Sequence, residues 1–427
     1  MSVSGARFSG VLTSWRGRAA VAKVIGALAL APAAAGAAAG TPAGAAAQRV
    51  IATVRVGDGP SALAADPRTG AVYVVNEGSR TVKVISGRTS KVIATVAIKE
   101  SRALVPWAVT VSPVTGDVYV SSFQVTSGPP VKSLPVTVIS GRTNKIIATL
   151  PVNGTVSGVS PVTGDVYLTA ISSGGSTSVK ILSGRTNKVI ATIPGASAWG
   201  MAVSPRTGEV YLPGGSVASR GSVKVLNGRT NKVAAVIQVD ERTPNPQDGL
   251  TPDAIAVSPV TGEVYVANGG GWGQACTLTV LAGRTNKIIN TIAVGGLGQA
   301  QLAVSRTGTV YIANNYTNTM DVISGRTNQV INTIQLGPYP GDTAFAVSQR
   351  TGNAYAFDTG TYPAIVGVSV ISARTGKVTA TIRLPKAVGD SYQIAVSPVT
   401  GDIYTLNPVN VNTPNPNPPW VVSVISS

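Results

Sequence analysis

The chain has 427 residues, with 34 Lys and Arg against 17 Asp and Glu, no His and a single Cys. Without His there is no imidazole metal ligand, no Ser-His-Asp base and no ordinary proton shuttle near neutral pH. The lone Cys276 excludes an internal disulfide or a thiolate metal cluster, and is expected as a small buried strand residue.

The first 47 residues differ from the rest. Arg7, Arg16, Arg18 and Lys23 precede an apolar Ala/Leu/Gly run that starts at Val24, and Ala45, Ala46 and Ala47 follow as small residues. This pattern predicts a secretory signal peptide with an A-x-A cleavage site. The run is Ala-rich and broken by Pro32, so it suits a retained spanning helix poorly. A lipoprotein anchor is not expected, since no Cys lies near the cleavage site. The leader carries four cations and no acid, so its loss takes the formal charge from +17 to +13. The expected product is exported, secreted or associated with the cell envelope, with no transmembrane segment after cleavage.

From residue 48 onward the chain repeats. The phrase Ser112-Pro-Val-Thr-Gly-Asp-Val-Tyr119 recurs eight times, with its Tyr at 73, 119, 167, 211, 265, 311, 355 and 404. A second phrase alternates with it, from Ile85 to Thr95 in its first copy, and its Arg falls at Arg88, Arg142, Arg185, Arg229, Arg284, Arg326 and Arg374. The period is about 47 residues, and units of that length made of short strands and turns are the mark of a β-propeller.

The second unit shows the plan. Trp107–Ser112 alternates as an inner strand, and Pro113 to Gly116 makes a tight turn, Pro fixing φ and Gly free to take positive φ. Strands follow at 117–121 and 136–139, Gly141 to Asn144 turns the chain, and 145–150 is the outer strand. At the N-terminus, 48–55 matches an outer strand with no inner strands before it. At the C-terminus, 421–426 is a third strand without a fourth. The first strand should therefore complete the last blade and remove an open edge. The expected fold is all-β: one domain over 48–427, a single eight-bladed propeller of four-stranded antiparallel blades.

The repeat resembles the YVTN family of β-propeller proteins, through Val72-Tyr-Val-Val-Asn76, Val264-Tyr-Val-Ala-Asn268 and Val310-Tyr-Ile-Ala-Asn314. The resemblance spans nearly all of 48–427 and implies an exported or surface propeller without an agreed activity. It also implies seven blades, where this chain counts eight.

Strand direction sorts the loops onto two faces. The uniform Pro-x-Thr-Gly and Gly-Arg-Thr-Asn turns share one face. It collects the seven repeat Arg, the Lys at 91, 145, 188, 232, 287 and 377, and Arg49, Arg68, Arg206, Arg306 and Arg350. Against these stand only Asp66, Asp117, Asp165, Glu209, Glu263 and Asp402. One reading is adhesion to an anionic envelope polymer. The other is a good hairpin turn copied by duplication, its Arg pairing in part with the acid that begins strand two, in exposed pairs worth less than about 1 kcal/mol.

The irregular loops lie on the opposite face with most remaining aromatics: Trp107, Trp199, Trp272, Trp420, Tyr316, Tyr339, Tyr362, Tyr392 and Phe123. These are candidate contacts for a protein or glycan ligand. For Trp107 and Trp199, each just before an inner strand, plugging the channel is an equal reading. The acids available there are Asp58, Asp248, Asp253, Asp342 and Asp390. They would serve an alternative reading, a lactonase-like hydrolase or lyase with a carboxylate or divalent-metal site at the channel mouth. The Thr-Gly-Lys-x-x-Trp docking motif of quinone-dependent dehydrogenases is met only by Thr375-Gly-Lys377, with Ala380 at the Trp position. No phosphate or dinucleotide signature occurs, so no cofactor and no specific nucleic-acid recognition are expected. A non-catalytic, monomeric binding or scaffold module is the resulting expectation.

Overall fold

The computed structural model describes residues 48–101, 103–124, 134–172, 176–216, 219–239, 251–269, 276–295, 300–314, 317–336, 344–359, 366–384, 393–407 and 420–427. Among these residues there are thirty-two strands in eight four-stranded sheets and no helix. The signal-peptide prediction for 1–47 lies outside the described residues. No helix among those described is long and apolar enough to cross a membrane.

Seven sheets run from inner to outer strand in chain order, as blades 1 to 7, starting at residues 60, 104, 155, 202, 251, 300 and 345. Blade 8 has the order Val50–Arg55, Val421–Ile425, Ile403–Asn407, Gln393–Val396. The N-terminal strand is thus its outer strand, with Thr53 opposite Ser423 and Arg55 opposite Val421. The inner strands of blades 8 and 1 touch, which closes the ring.

The core is not one mass but eight apolar clusters, each shared by two successive blades. Valine and isoleucine on both faces of the middle strands supply it: Val72, Tyr73, Val74 and Val75 are all fully buried. A sheet sandwiched between two others buries both faces, so its middle strands read as continuous apolar runs. Outer strands alternate instead. Each carries a bulge beside its first residues, which leaves Ile93 56% and Ile147 53% exposed on the rim. Bulges and adjacent Lys are common protection for a free strand edge.

The two turns of a blade interlock on one face. A Cβ added at Gly141 would lie 2.1 Å from the carbonyl oxygen of Gly116, itself at φ +79°. Only glycine permits both the left-handed turn and this contact. The two phrases of the repeat are therefore one structural unit, and the loops that join blades lie at the other end.

Candidate functional site

The basic face is built on a five-residue turn. In blade 2, Asn144 N donates to Ser140 O at 2.8 Å, and Asn144 adopts φ +54° to complete the reversal. Arg142 sits at the tip, exposed, as do Arg88, Arg185, Arg229, Arg284, Arg326 and Arg374. The six turn Lys are exposed as well. Among the described residues none of these thirteen cations forms an ion pair with an Asp or Glu.

The acids that open strand two are engaged elsewhere. Asp165 accepts from Gly184 N at 3.3 Å and Asn231 Nδ2 at 3.1 Å. Glu209 and Glu263 accept from Thr207 and Thr261 in their own turns. Pairing of turn Arg with these acids, the expectation under plain duplication, does not occur. The strand-one arginines behave differently: Arg206 Nη1 donates to Val260 O at 2.8 Å, and Arg68, Arg306 and Arg350 reach the next blade's turn in the same way.

One seam opens at the rim. At a single register position on the third strand, Lys180 Nζ reaches back to Val152 O (2.7 Å) in blade 3, and Lys224 Nζ to Pro194 O (2.6 Å) in blade 4. Blade 2 has Thr137 there, and its Oγ1 donates instead to Glu100 Oε1 at 3.0 Å, in the segment that follows the outer strand of blade 1. Beside it lies a groove of about 530 Å³ between blades 1 and 2, lined among others by Lys99, Lys145, Thr95, Thr137 and Thr149.

The repeat Tyr has a role that the sequence did not disclose. Tyr119 OH donates to Asn187 Oδ1 at 2.9 Å, one blade further on. Tyr167 reaches Asn231 (3.2 Å), Tyr211 reaches Asn286 (2.9 Å) and Tyr265 reaches Asn328 (2.9 Å). The Asn that reverses each outer turn therefore also latches its blade to the one before. In blade 7 Gly376 takes the Asn place, and Tyr311 turns to Gly352 O at 3.2 Å. Burial, then the nearby Asp66 and Asp117, push the Tyr73 hydroxyl up to about 12. Burial raises the other latch phenols too.

The channel mouth is set by register. The residue four positions before the last pair of each inner strand is Ser61, Trp107, Thr155, Trp199 and Asp253 in blades 1 to 5. In blades 1, 2 and 5 it is a bulge residue in a Pro-x-Ala frame: Pro60-Ser61-Ala62, Pro106-Trp107-Ala108 and Pro252-Asp253-Ala254. Proline has no N–H to give the ladder, and a bulge re-aims the side chain that follows it. This motif was present in the sequence and could have flagged the ring. Ser61 Oγ donates to Trp107 O at 3.1 Å. Trp107 stands edge-on to Phe123, centroids 5.2 Å apart, and packs against the apolar cluster between blades 2 and 3.

Trp199 and Asp253 lie across the seam between blades 4 and 5. Gly200, at φ +72°, brings its backbone against Asp253, and its carbonyl accepts from Ile255 N at 2.7 Å. The Trp199 Nε1 is buried and has no hydrogen-bond partner. The Asp253 carboxyl has none either among the described residues, and burial pushes it from 3.8 up to about 7. Buried polar groups without partners are uncommon in native proteins, and such carboxyls concentrate at functional sites.

Trp420 is half-buried against the cluster that joins blades 8 and 1, and its carbonyl accepts from Val56 N. Asp58 is exposed in the loop before blade 1. Trp272, Tyr316, Tyr339, Tyr362 and Tyr392, with Asp248, Asp342 and Asp390, lie outside the described residues. Among those described, no three acids or thiols group as metal ligands. Cys276 is buried between blades 5 and 6.

No family model matches the chain, and no curated protein matches it. Solved structures do. A structure of Kuenenia stuttgartiensis hydrazine synthase is similar at a TM-score of 0.52 and 16% identity, over 74% of this chain and 96% of that one. A structure of the Dos1 propeller is similar at a TM-score of 0.59 and 10% identity, over 89% and 95%. At such identities the likeness shows the propeller fold alone.

Proposed function

We propose that this chain is an exported, non-catalytic propeller of the YVTN type that attaches to an anionic envelope polymer through its basic turn face. Its irregular face is then free to present a site to a protein or glycan ligand. The observation that carries this reading is the ring of thirteen exposed turn cations, none of them in an ion pair with an acid among the described residues. A flexible polyanion can touch several of them at once, and the groove with Lys99 and Lys145 offers it a concave seat. Attraction of this kind rests on counterion release, so affinity falls steeply with salt and carries no base-sequence preference. The test is retention of the mature chain on immobilised heparin and on polyphosphate across a salt gradient. Elution above roughly physiological ionic strength is expected, a level at which exposed charges are already screened beyond about 8 Å. Elution below it refutes the reading.

A second reading, a lactonase-like hydrolase or lyase, draws on Asp253, whose carboxyl near 7 is suited to proton transfer at neutral pH. Turnover of a lactone panel that disappears in Asp253→Asn would establish it over the first.

A further inference from the structure

We infer that the seam between blades 4 and 5 at the channel mouth is a binding site for an uncharged sugar or polyol, held by Trp199 and Asp253. The inference rests on the irregular face being the ligand face, and is independent of the polyanion attachment.

Three observations lead there. Trp199 and Asp253 occupy the same register position in adjacent blades, at the end of the inner strands opposite the basic turns. The Gly200 backbone packs directly on Asp253, so the two residues are neighbours across the seam. Trp199 presents a buried indole N–H, and Asp253 a half-buried carboxyl, neither with a partner among the described residues. Elsewhere in the same ring the polar atom is used: Ser61 Oγ bonds to Trp107 O and holds blades 1 and 2 together. Among the described residues, the Trp199 N–H and the Asp253 carboxyl make no such bond.

The donor and acceptor pattern selects the ligand class. An indole N–H can only donate, so it needs an acceptor oxygen. The carboxyl, when ionised, needs a donor. A hydroxyl supplies both functions, and a sugar offers several side by side together with an apolar C–H face for the indole ring. An ammonium ligand would satisfy Asp253 and stack on Trp199, but it has no acceptor for the Nε1 N–H. A carboxylate or phosphate ligand would satisfy the N–H and be opposed by Asp253. An uncharged polyhydroxyl compound suits both groups and adds the apolar face that the indole ring can stack on.

The test uses the mature chain with maltose, cellobiose and N,N′-diacetylchitobiose as probes, beside tetramethylammonium and inorganic phosphate. Binding is read by indole fluorescence and by calorimetry. At least one disaccharide should bind, with an affinity that changes little between low and high salt. Trp199→Phe keeps an aromatic ring and loses the N–H, and should weaken binding about fivefold. Asp253→Ala should weaken it about tenfold or more, in line with hydrogen bonds to a neutral and to a charged group. Arg88→Gln with Arg142→Gln on the opposite face should leave sugar binding unchanged while lowering heparin retention. Wild-type affinity in Trp199→Phe would overturn the proposal, as would binding of the ammonium or phosphate probe and of no sugar. Failure of all three sugars in a chain that still binds heparin would overturn it too, and would leave the attachment reading intact.

Discussion

Replacing Asp253 by Asn should change how stability responds to pH, and the chain is unusually suited to show it. Burial holds the Asp253 carboxyl at about 7 in the folded chain, against 3.8 in the open. A carboxyl raised in this way stabilises the fold while it is protonated, and that contribution is lost as pH rises toward the folded value. Between these two values the folded chain binds one more proton than the unfolded chain, so stability falls by about 1.4 kcal/mol per pH unit. From pH 5 to pH 8 the loss is about 3 kcal/mol, because above 7 both states are ionised and the slope vanishes. With no His in the chain, the side-chain titrations that usually dominate this window are absent. Equilibrium denaturation of the mature chain in urea, at half-unit steps from pH 5 to pH 8, measures the slope directly. Asp253→Asn should flatten it, and should make the variant more stable than the parent at pH 8. A parent whose stability is level from pH 5 to pH 8, or a variant that keeps the slope, refutes the account of an unpaired buried carboxyl.

Other consequences can be checked with the same material. Asn231→Ala removes two hydrogen bonds, to Tyr167 and Asp165, and places alanine at φ +54°. It should cost about 3 kcal/mol, and Asn231→Gly about 1 kcal/mol less, because glycine accepts the left-handed backbone; equal losses in the two variants would argue against that split. Seven of the repeat tyrosines have raised values, the lowest at about 12 for Tyr73 and Tyr404. Absorbance at alkaline pH should therefore show these tyrosines protonated at about pH 11 while the chain stays folded, and their ionisation near the usual 10 would disprove the burial. Neutralising Arg88, Arg142 and Arg185 together should reduce the slope of log affinity for heparin against log salt by two to three, roughly one per lost contact, and an unchanged slope would remove the turns from the interface.

The scaffold was legible in the sequence because its period is carried by residues with strong backbone demands. Gly116 and Gly141 recur because the turns touch, and Tyr119 recurs because it is buried whole. The ring closure was legible because 48–55 reads as an outer strand without a blade of its own. The latch was not, since Tyr119 and Asn187 are 68 residues apart in two different phrases and nothing local links them. The mouth ring was missed for a different reason. Its residues differ from blade to blade, Ser61, Trp107, Thr155, Trp199 and Asp253, so a search for repetition passes over them. Trp199 was singled out as an aromatic and Asp253 as an acid, but only the register across the bulges puts them at one level and on neighbouring blades.

That contrast bears on how such a ring acquires a ligand. Latches, interlocked glycines and arginine clamps all lie at the basic end of the blades, and each joins one blade to itself or to the next. Blade spacing is thereby held at that end in every repeat that carries them, and side chains at the opposite end of the inner strands are freer to differ. Free variation alone would still favour satisfied or apolar side chains there, because a buried carboxyl or indole N–H without a partner costs about 1–3 kcal/mol. Ser61 follows that rule by bonding across its seam, and Trp107 by packing against Phe123. The buried Trp199 N–H breaks it, and beside it in the next blade the half-buried Asp253 carboxyl also lacks a partner among the described residues, with the complementary need. A ligand that supplies an acceptor to one and a donor to the other accounts for both at once.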